Sequence, residues 1–264
     1  MILHATERGA GGGPPLVLLH GVFGRSANFA SVAQRLAEGR RVLALDLRNH
    51  GVSPHAKSMD YPAMAADVTE TLAALDALPC VAVGHSMGGK VAMAMALAEP
   101  GTVARLLVAD MAPVAYPPHF RVIVAALRNL ALPPGLTRAA ASAALADSIP
   151  DPATRAFLLQ NLRVGADPGW TIGLDEIAAA LPQIGAWPEF AGRYDGPTLF
   201  LYGARSDYVR PEHHAAIRAL FPQAAFAALP TSHWVHAEDP DGFVAAVAAF
   251  AGHSTFAEGP TTAA

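Results

Sequence analysis

The segment Gly84-His85-Ser86-Met87-Gly88 constrains this chain more than any other part of it. It follows a short apolar run, residues 80–83, and precedes an alanine- and methionine-rich stretch of helical composition. A serine set between two glycines at a strand-to-helix junction is held in a sharp turn. Any side chain at either glycine position would collide with neighbouring backbone. The turn lifts the Ser86 hydroxyl clear of the sheet, and a helix starting near Met87 aims its free N–H groups at the same place. The spacing therefore predicts a strand-turn-helix elbow that presents Ser86 as a nucleophile, against the plainer alternative of a solvated serine in a glycine-flanked turn.

The rest of the chain supplies the context such an elbow requires. Short apolar runs at residues 16–19, 41–45, 80–83, 103–108, 197–203 and 225–229 read as buried strands. Stretches with apolar residues at helical spacing lie between them, at 26–36 (with Ser26 as cap), 61–78, 212–221 and 241–250. This alternation predicts an α/β fold, with a mostly parallel central sheet covered by helices on both faces. It breaks between residues 114 and 195, where an apolar stripe (Phe120, Ile123, Val124, Leu127, Leu130) and a second one (Phe157, Leu158, Leu162) give helices but no strand. A helical insertion between two sheet strands reads as a cap over the carboxyl ends of the strands, where open α/β sheets bind ligands. The expected division is a core of residues 1–113 and 196–251, a cap of 114–195 and a flexible tail of 252–264.

Composition narrows the function. The net charge is -4 with no long run of one sign, so nucleic acid is not an expected partner. No run of about 18 apolar residues marks a membrane span, and the N-terminal residues lack the pattern of a secretory signal. The single cysteine, Cys80, has no partner for a disulfide and reads as a small buried hydrophobe. A cytoplasmic protein is the expectation, and oligomeric state is left open.

A serine hydroxyl attacks only when a base takes its proton and a third group fixes the tautomer of that base. In sheets of this type these groups follow in the order serine, acid, histidine. His233 occupies the loop after the last strand and is preferred as the base over His236, which sits nearer the following helix. Two acids compete. Asp110 closes the strand after the elbow and Asp207 follows strand 197–203. Either reaches the sheet edge, and either is equally readable as a loop aspartate bonding its own turn. Asp46 reads as structural. Backbone N–H groups of Met87 and Val22 are the expected oxyanion donors, with His20 propping the Val22 loop. Phe23, Ile123, Leu127, Trp170, Trp187 and Trp234 are the expected apolar lining for a substrate. Lys90 is anomalous in a first helical turn and is expected to pair with an acid. The adjacent His213-His214 cannot face one metal, and Gly11-Gly12-Gly13 opens no phosphate loop. No metal and no cofactor are expected.

With those residues in place the chain resembles the α/β-hydrolase superfamily, and within it the small YbfF-type esterases and their mitochondrial relatives. The resemblance rests on His20-Gly21-Val22-Phe23-Gly24, Asp46-Leu47-Arg48-Asn49-His50-Gly51, Gly84 to Lys90, Asp110-Met111-Ala112-Pro113-Val114 and His233-Trp234-Val235-His236-Ala237-Glu238. It implies hydrolysis of carboxylic esters, with acyl thioesters as a second substrate class, and it favours Asp110 as the acid. The chain departs from the pattern in carrying Asp207, and in placing Thr231-Ser232 rather than glycine before His233. The resulting expectation is a serine esterase acting on short to medium acyl chains through an acyl-enzyme. The alternatives are a thioesterase, a cofactor-free haloperoxidase or perhydrolase, a carbon–carbon bond hydrolase, or a ligand receptor that keeps the fold. Six arginines against seven acids over residues 114–195 give no broad basic surface for a coenzyme A phosphate.

Overall fold

A computed structural model of the protein describes residues 1–117 and 120–252; all but the first residue of the expected tail lie outside that range. The fold grows from buried strands. β1 (Ala5–Arg8), β2 (Leu16–Leu19), β3 (Val42–Leu45), β4 (Cys80–His85), β5 (Val103–Ala109), β8 (Thr198–Gly203) and β9 (Ala224–Leu229) form one sheet in the order β1-β3-β2-β4-β5-β8-β9. Every neighbouring pair is parallel except β1 with β3.

Side-chain alternation along each strand feeds two cores. Leu16 and Leu18 of β2 and Val81 and Val83 of β4 pack with α1 (Ala30–Leu36) and α10 (Pro240–Ala251). Val17, Leu19, Cys80 and Ala82 pack on the opposite face with α2 (Tyr61–Ala74) and α3 (Met87–Ala98). Because both faces are covered, β2 and β4 are buried throughout rather than alternating between core and solvent. This is why they were legible as short apolar runs.

β5 and β8 lie side by side, paired from Leu106 with Thr198 to Ala109 with Leu201. The chain between them leaves the sheet as α4 (Arg121–Asn129), α5 (Arg138–Ala144), α6 (Pro152–Leu159), a two-stranded hairpin of β6 (Leu162–Arg163) and β7 (Gly169–Trp170), and α7 (Leu174–Gly185). The carboxyl end of α7 is moored to the core. The Tyr61 hydroxyl donates to Ile184 O at 2.6 Å, Tyr116 N–H to Gly185 O at 2.9 Å, and Lys90 Nζ to Ala186 O at 2.7 Å and Gly185 O at 3.2 Å. These donors satisfy carbonyls that the helix end leaves open.

Several local expectations are corrected. β1 and the β6–β7 hairpin are additional strands. Ser26 does not cap a helix. It lies inside a 3₁₀ turn, Ser26–Phe29, with its N–H on Asp46 Oδ1 at 2.6 Å. α2 stops at Ala74 rather than 78, since Asp76 takes a left-handed φ of 49° just before Pro79. Among the described residues no helix is long and apolar enough to cross a membrane.

Candidate active site

The elbow is built as its glycines require. Ser86 sits between β4 and α3 at φ 54°, ψ -121°, a backbone conformation that costs an L-residue energy. It persists because the surroundings leave no alternative. A Cβ on Gly84 would lie 2.1 Å from Gly88 O, and one on Gly88 would lie 2.3 Å from Leu19 O. Ser86 N–H donates to Ala109 O at 3.0 Å, tying the turn to the end of β5.

Ser86 Oγ lies 3.0 Å from His233 Nε2, and His233 Nδ1 lies 2.7 Å from Asp110 Oδ2. Asp110 is fully buried at the end of β5, at φ 52°. Its Oδ1 accepts Gly203 N–H at 3.0 Å, and its Oδ2 also accepts the Ser206 hydroxyl. An ionised carboxylate only accepts, so the His233 proton belongs on Nδ1 and the lone pair on Nε2 faces the serine hydroxyl.

The His233 loop takes its shape without a glycine beside the histidine. Ser232 N–H and the Ser232 hydroxyl both donate to the Glu238 carboxylate, which Arg205 pairs with at 3.2 Å. Close approach is provided from the other side by Gly203, where a Cβ would meet Ser232 O at 2.1 Å. The His85 ring donates through Nε2 to His233 O at 2.8 Å. Tyr208 stacks on the His233 ring.

The loop after β2 brings Val22 to the same place. Among the described residues, neither Val22 N–H nor Met87 N–H has a hydrogen-bond partner. Two buried histidines hold this loop as acceptors: His50 Nε2 takes Phe23 N–H and His20 Nε2 takes Leu47 N–H, both at 3.0 Å. Burial, reinforced by the neighbouring His20, pushes His50 down to about 3, and burial lowers His20 as well, so both rings are neutral at pH 7. Asp46 accepts Ser26 N–H at 2.6 Å and Val52 N–H at 3.0 Å, a structural role as expected.

Two cavities meet at Ser86. The larger, about 260 Å³, is lined in part by Phe23, Ile123, Phe157, His233 and Trp234. The smaller, about 30 Å³, is lined in part by Met87, Lys90, Met111, Leu181 and Ile184. Val22, Phe120 and Tyr208 border both.

Other expectations fall elsewhere. Asp207 is exposed, its carboxylate 4.0 Å from Arg210 Nε, and it stands outside the Ser86–His233–Asp110 chain. Of the six expected lining residues, Phe23, Ile123 and Trp234 face the larger cavity. Leu127 is consumed by the core, Trp187 packs on Tyr61 and Phe190, and Trp170 lies beside His55 and Asp175 at a separate surface depression. An apolar helical stripe has a core side and a cavity side, and spacing alone does not distinguish them. Among the described residues Lys90 pairs with no acid. Its ammonium meets the carbonyls that end α7 and lies over the rings of Tyr61 and Tyr116, and burial pushes it down to about 7. Ser206, Gly203 and Tyr208 were missed because nothing local in sequence ties them to His233. Only the pairing of β8 beside β5 brings their loop to Asp110.

Residues 16–246 match the alpha/beta hydrolase family, and the chain belongs to it. It is 43% identical over 247 residues to the sn-1-specific diacylglycerol lipase ABHD11 of Mus musculus, spanning 90% of this chain and 80% of that one. It is 35% identical over 237 residues to the esterase YbfF of Escherichia coli strain K12, spanning 88% and 91% respectively. Among solved structures, a marine microorganism esterase superposes with a TM-score of 0.91 at 33% identity, covering 94% of this chain and 99% of that one.

Proposed function

We propose that this chain is a serine hydrolase of carboxylic esters that works through an acyl-enzyme. The observation that carries the reading is the hydrogen-bonded chain Ser86–His233–Asp110 at the wall of an apolar cavity. Relatives named as an esterase and a lipase at 35% and 43% identity support it.

Ser86 Oγ attacks the ester carbonyl as His233 Nε2 takes its proton. Asp110 keeps the imidazole in the productive tautomer and offsets the charge it gains. The developing oxyanion accepts from Val22 and Met87 N–H, which have no hydrogen-bond partner among the described residues. His233 returns the proton to the leaving alkoxide, and the alcohol departs. Water, deprotonated by the same imidazole, then releases the acid and restores Ser86. Each step uses groups of this chain and balances without a cofactor or metal. Residues 114–195 act as the cap, contributing Phe120, Ile123 and Phe157 to the walls.

Hydrolysis of p-nitrophenyl butyrate by the wild type and by Ser86→Ala tests the reading. Multiple turnovers that fall at least about 10³-fold in the variant are expected. Equal rates in the two proteins would remove Ser86 as the nucleophile.

A further inference from the structure

Ser86 is the boundary between two cavities of unequal size, which share Val22 but differ in the rest of the machinery. His233 lines only the larger, of about 260 Å³. Met87 lines only the smaller, of about 30 Å³. That asymmetry assigns the two halves of an ester.

A tetrahedral carbon on Ser86 carries the serine oxygen, the oxyanion, the acyl chain and the leaving oxygen. The leaving oxygen must lie within hydrogen-bond reach of His233 Nε2, because the imidazolium protonates it as the bond breaks. The alcohol half therefore occupies the cavity that His233 lines. The oxyanion turns to Val22 and Met87. The acyl chain is left with the space beyond Met87.

Size then sets the substrate. A water-sized group needs roughly 10–15 Å³ of such space, so the smaller cavity holds two or three groups of that kind. Lys90, one helical turn after Ser86, closes it with an ammonium bonded to Gly185 O and Ala186 O. Leu181 and Ile184 of α7 form the cap side, and both are buried. The larger cavity is lined by Phe29, Phe157 and Trp234 among others, and has room for a cyclic or branched apolar group.

We infer that this enzyme selects esters of a short acyl group, acetyl to butyryl, with a bulky apolar alcohol, and that Leu181 and Ile184 set the acyl limit. The inference rests on the assignment of Ser86 and His233 as nucleophile and base.

The test is a pair of series on the full chain: p-nitrophenyl acetate, butyrate and octanoate for the acyl half, and ethyl, hexyl and cyclohexylmethyl acetate for the alcohol half. kcat/KM is expected to fall at least tenfold from butyrate to octanoate, and to rise at least tenfold from ethyl to cyclohexylmethyl acetate. Leu181→Ala, with Ile184→Ala as a second variant should the first fold poorly, raises the octanoate-to-acetate ratio at least fivefold. Phe157→Ala leaves that ratio in place and changes the alcohol series. A wild-type preference for octanoate, or an acyl optimum moved by Phe157→Ala and not by the α7 variants, overturns the assignment while leaving ester hydrolysis standing. Absence of hydrolysis of every ester, or rates unchanged in Ser86→Ala, removes the hydrolase reading and this inference together.

Discussion

Tyr208 lies flat against His233, with ring centroids 4.0 Å apart and planes 21° from parallel. The stack is anchored from the core. The Tyr116 hydroxyl accepts Ala112 N–H at 2.9 Å and donates to Tyr208 O, while the His213 ring bonds the same carbonyl at 3.2 Å. Asp110 fixes one edge of the imidazole and Tyr208 fixes its plane. Tyr208→Ala is expected to lower kcat by about three- to tenfold, the worth of one aromatic pair. Tyr208→Phe keeps the ring and is expected to stay within about twofold of wild type. If both variants lose activity equally, the hydroxyl rather than the stack is what matters.

The two aspartates separate cleanly by substitution. Asp110→Asn keeps the volume but removes the acceptor that holds the His233 tautomer, so kcat should drop on the order of 10⁴-fold. Asp207→Asn alters an exposed residue paired loosely with Arg210 and should remain within about twofold. Steady-state kinetics of the two variants on one ester decides the matter, and comparable losses would mean the acid is shared.

Acid stability should carry the mark of His236. Its ring is buried among Phe29, His85 and Phe243, Nδ1 has no partner among the described residues, and burial followed by the proximity of His233 pushes it down to about 4. An unfolded chain titrates this group near 6.5. Between those values the unfolded state holds the extra proton, so the stability is complete above about 6.5 and is lost as pH falls towards 4. The contribution is about 3 kcal/mol. His236→Phe should flatten urea-midpoint curves between pH 7 and 4 by roughly that amount. His50, His85 and His20, which burial lowers in the same direction, add to the remaining slope.

The elbow glycines should tolerate nothing larger. Gly84→Ala places a methyl 2.1 Å from backbone that cannot move without displacing α3. The expected cost exceeds about 4 kcal/mol, seen as loss of soluble protein or a collapsed melting temperature. Gly12→Ala, with no atom within 4 Å of the new methyl, serves as the control and should change stability by less than about 0.5 kcal/mol.

The parts of the fold and site that were legible in the sequence share a physical property. β2, β4 and β8 are buried on both faces and so read as apolar runs, and Gly84 and Gly88 are obligatory for steric reasons at fixed spacing. β1 was not legible because its residues, Ala5-Thr6-Glu7-Arg8, are mostly exposed at the sheet edge. The β6–β7 hairpin has two residues per strand, too few to show a period. Between Asp110 and Asp207 the residues alone gave no decision, because each follows a sheet strand. What separates them is a rotation of the chain: Asp110, at φ 52°, turns inward beneath His233, and Asp207 turns out to solvent. Lys90 was misjudged for a related reason. Its counterpart is a set of backbone carbonyls from a helix 95 residues away, and backbone carries no sequence signature.

The wide sequence spacing of the three hydrogen-bonded groups bears on how the protein is made. Asp110 precedes His233 by 123 residues, and the whole segment from α4 to α7 is translated in that interval. At synthesis rates of roughly 5–20 residues per second, that is about 6 to 25 s during which a nascent chain owns a serine and an acid but no base. On the proposed assignment Ser86 has no base until the residues after β9 have been added. By then α4 to α7, which carry Ile123, Phe157, Leu181 and Ile184 of the two cavities, have already been synthesised, so on the proposed assignment the base arrives after those walls.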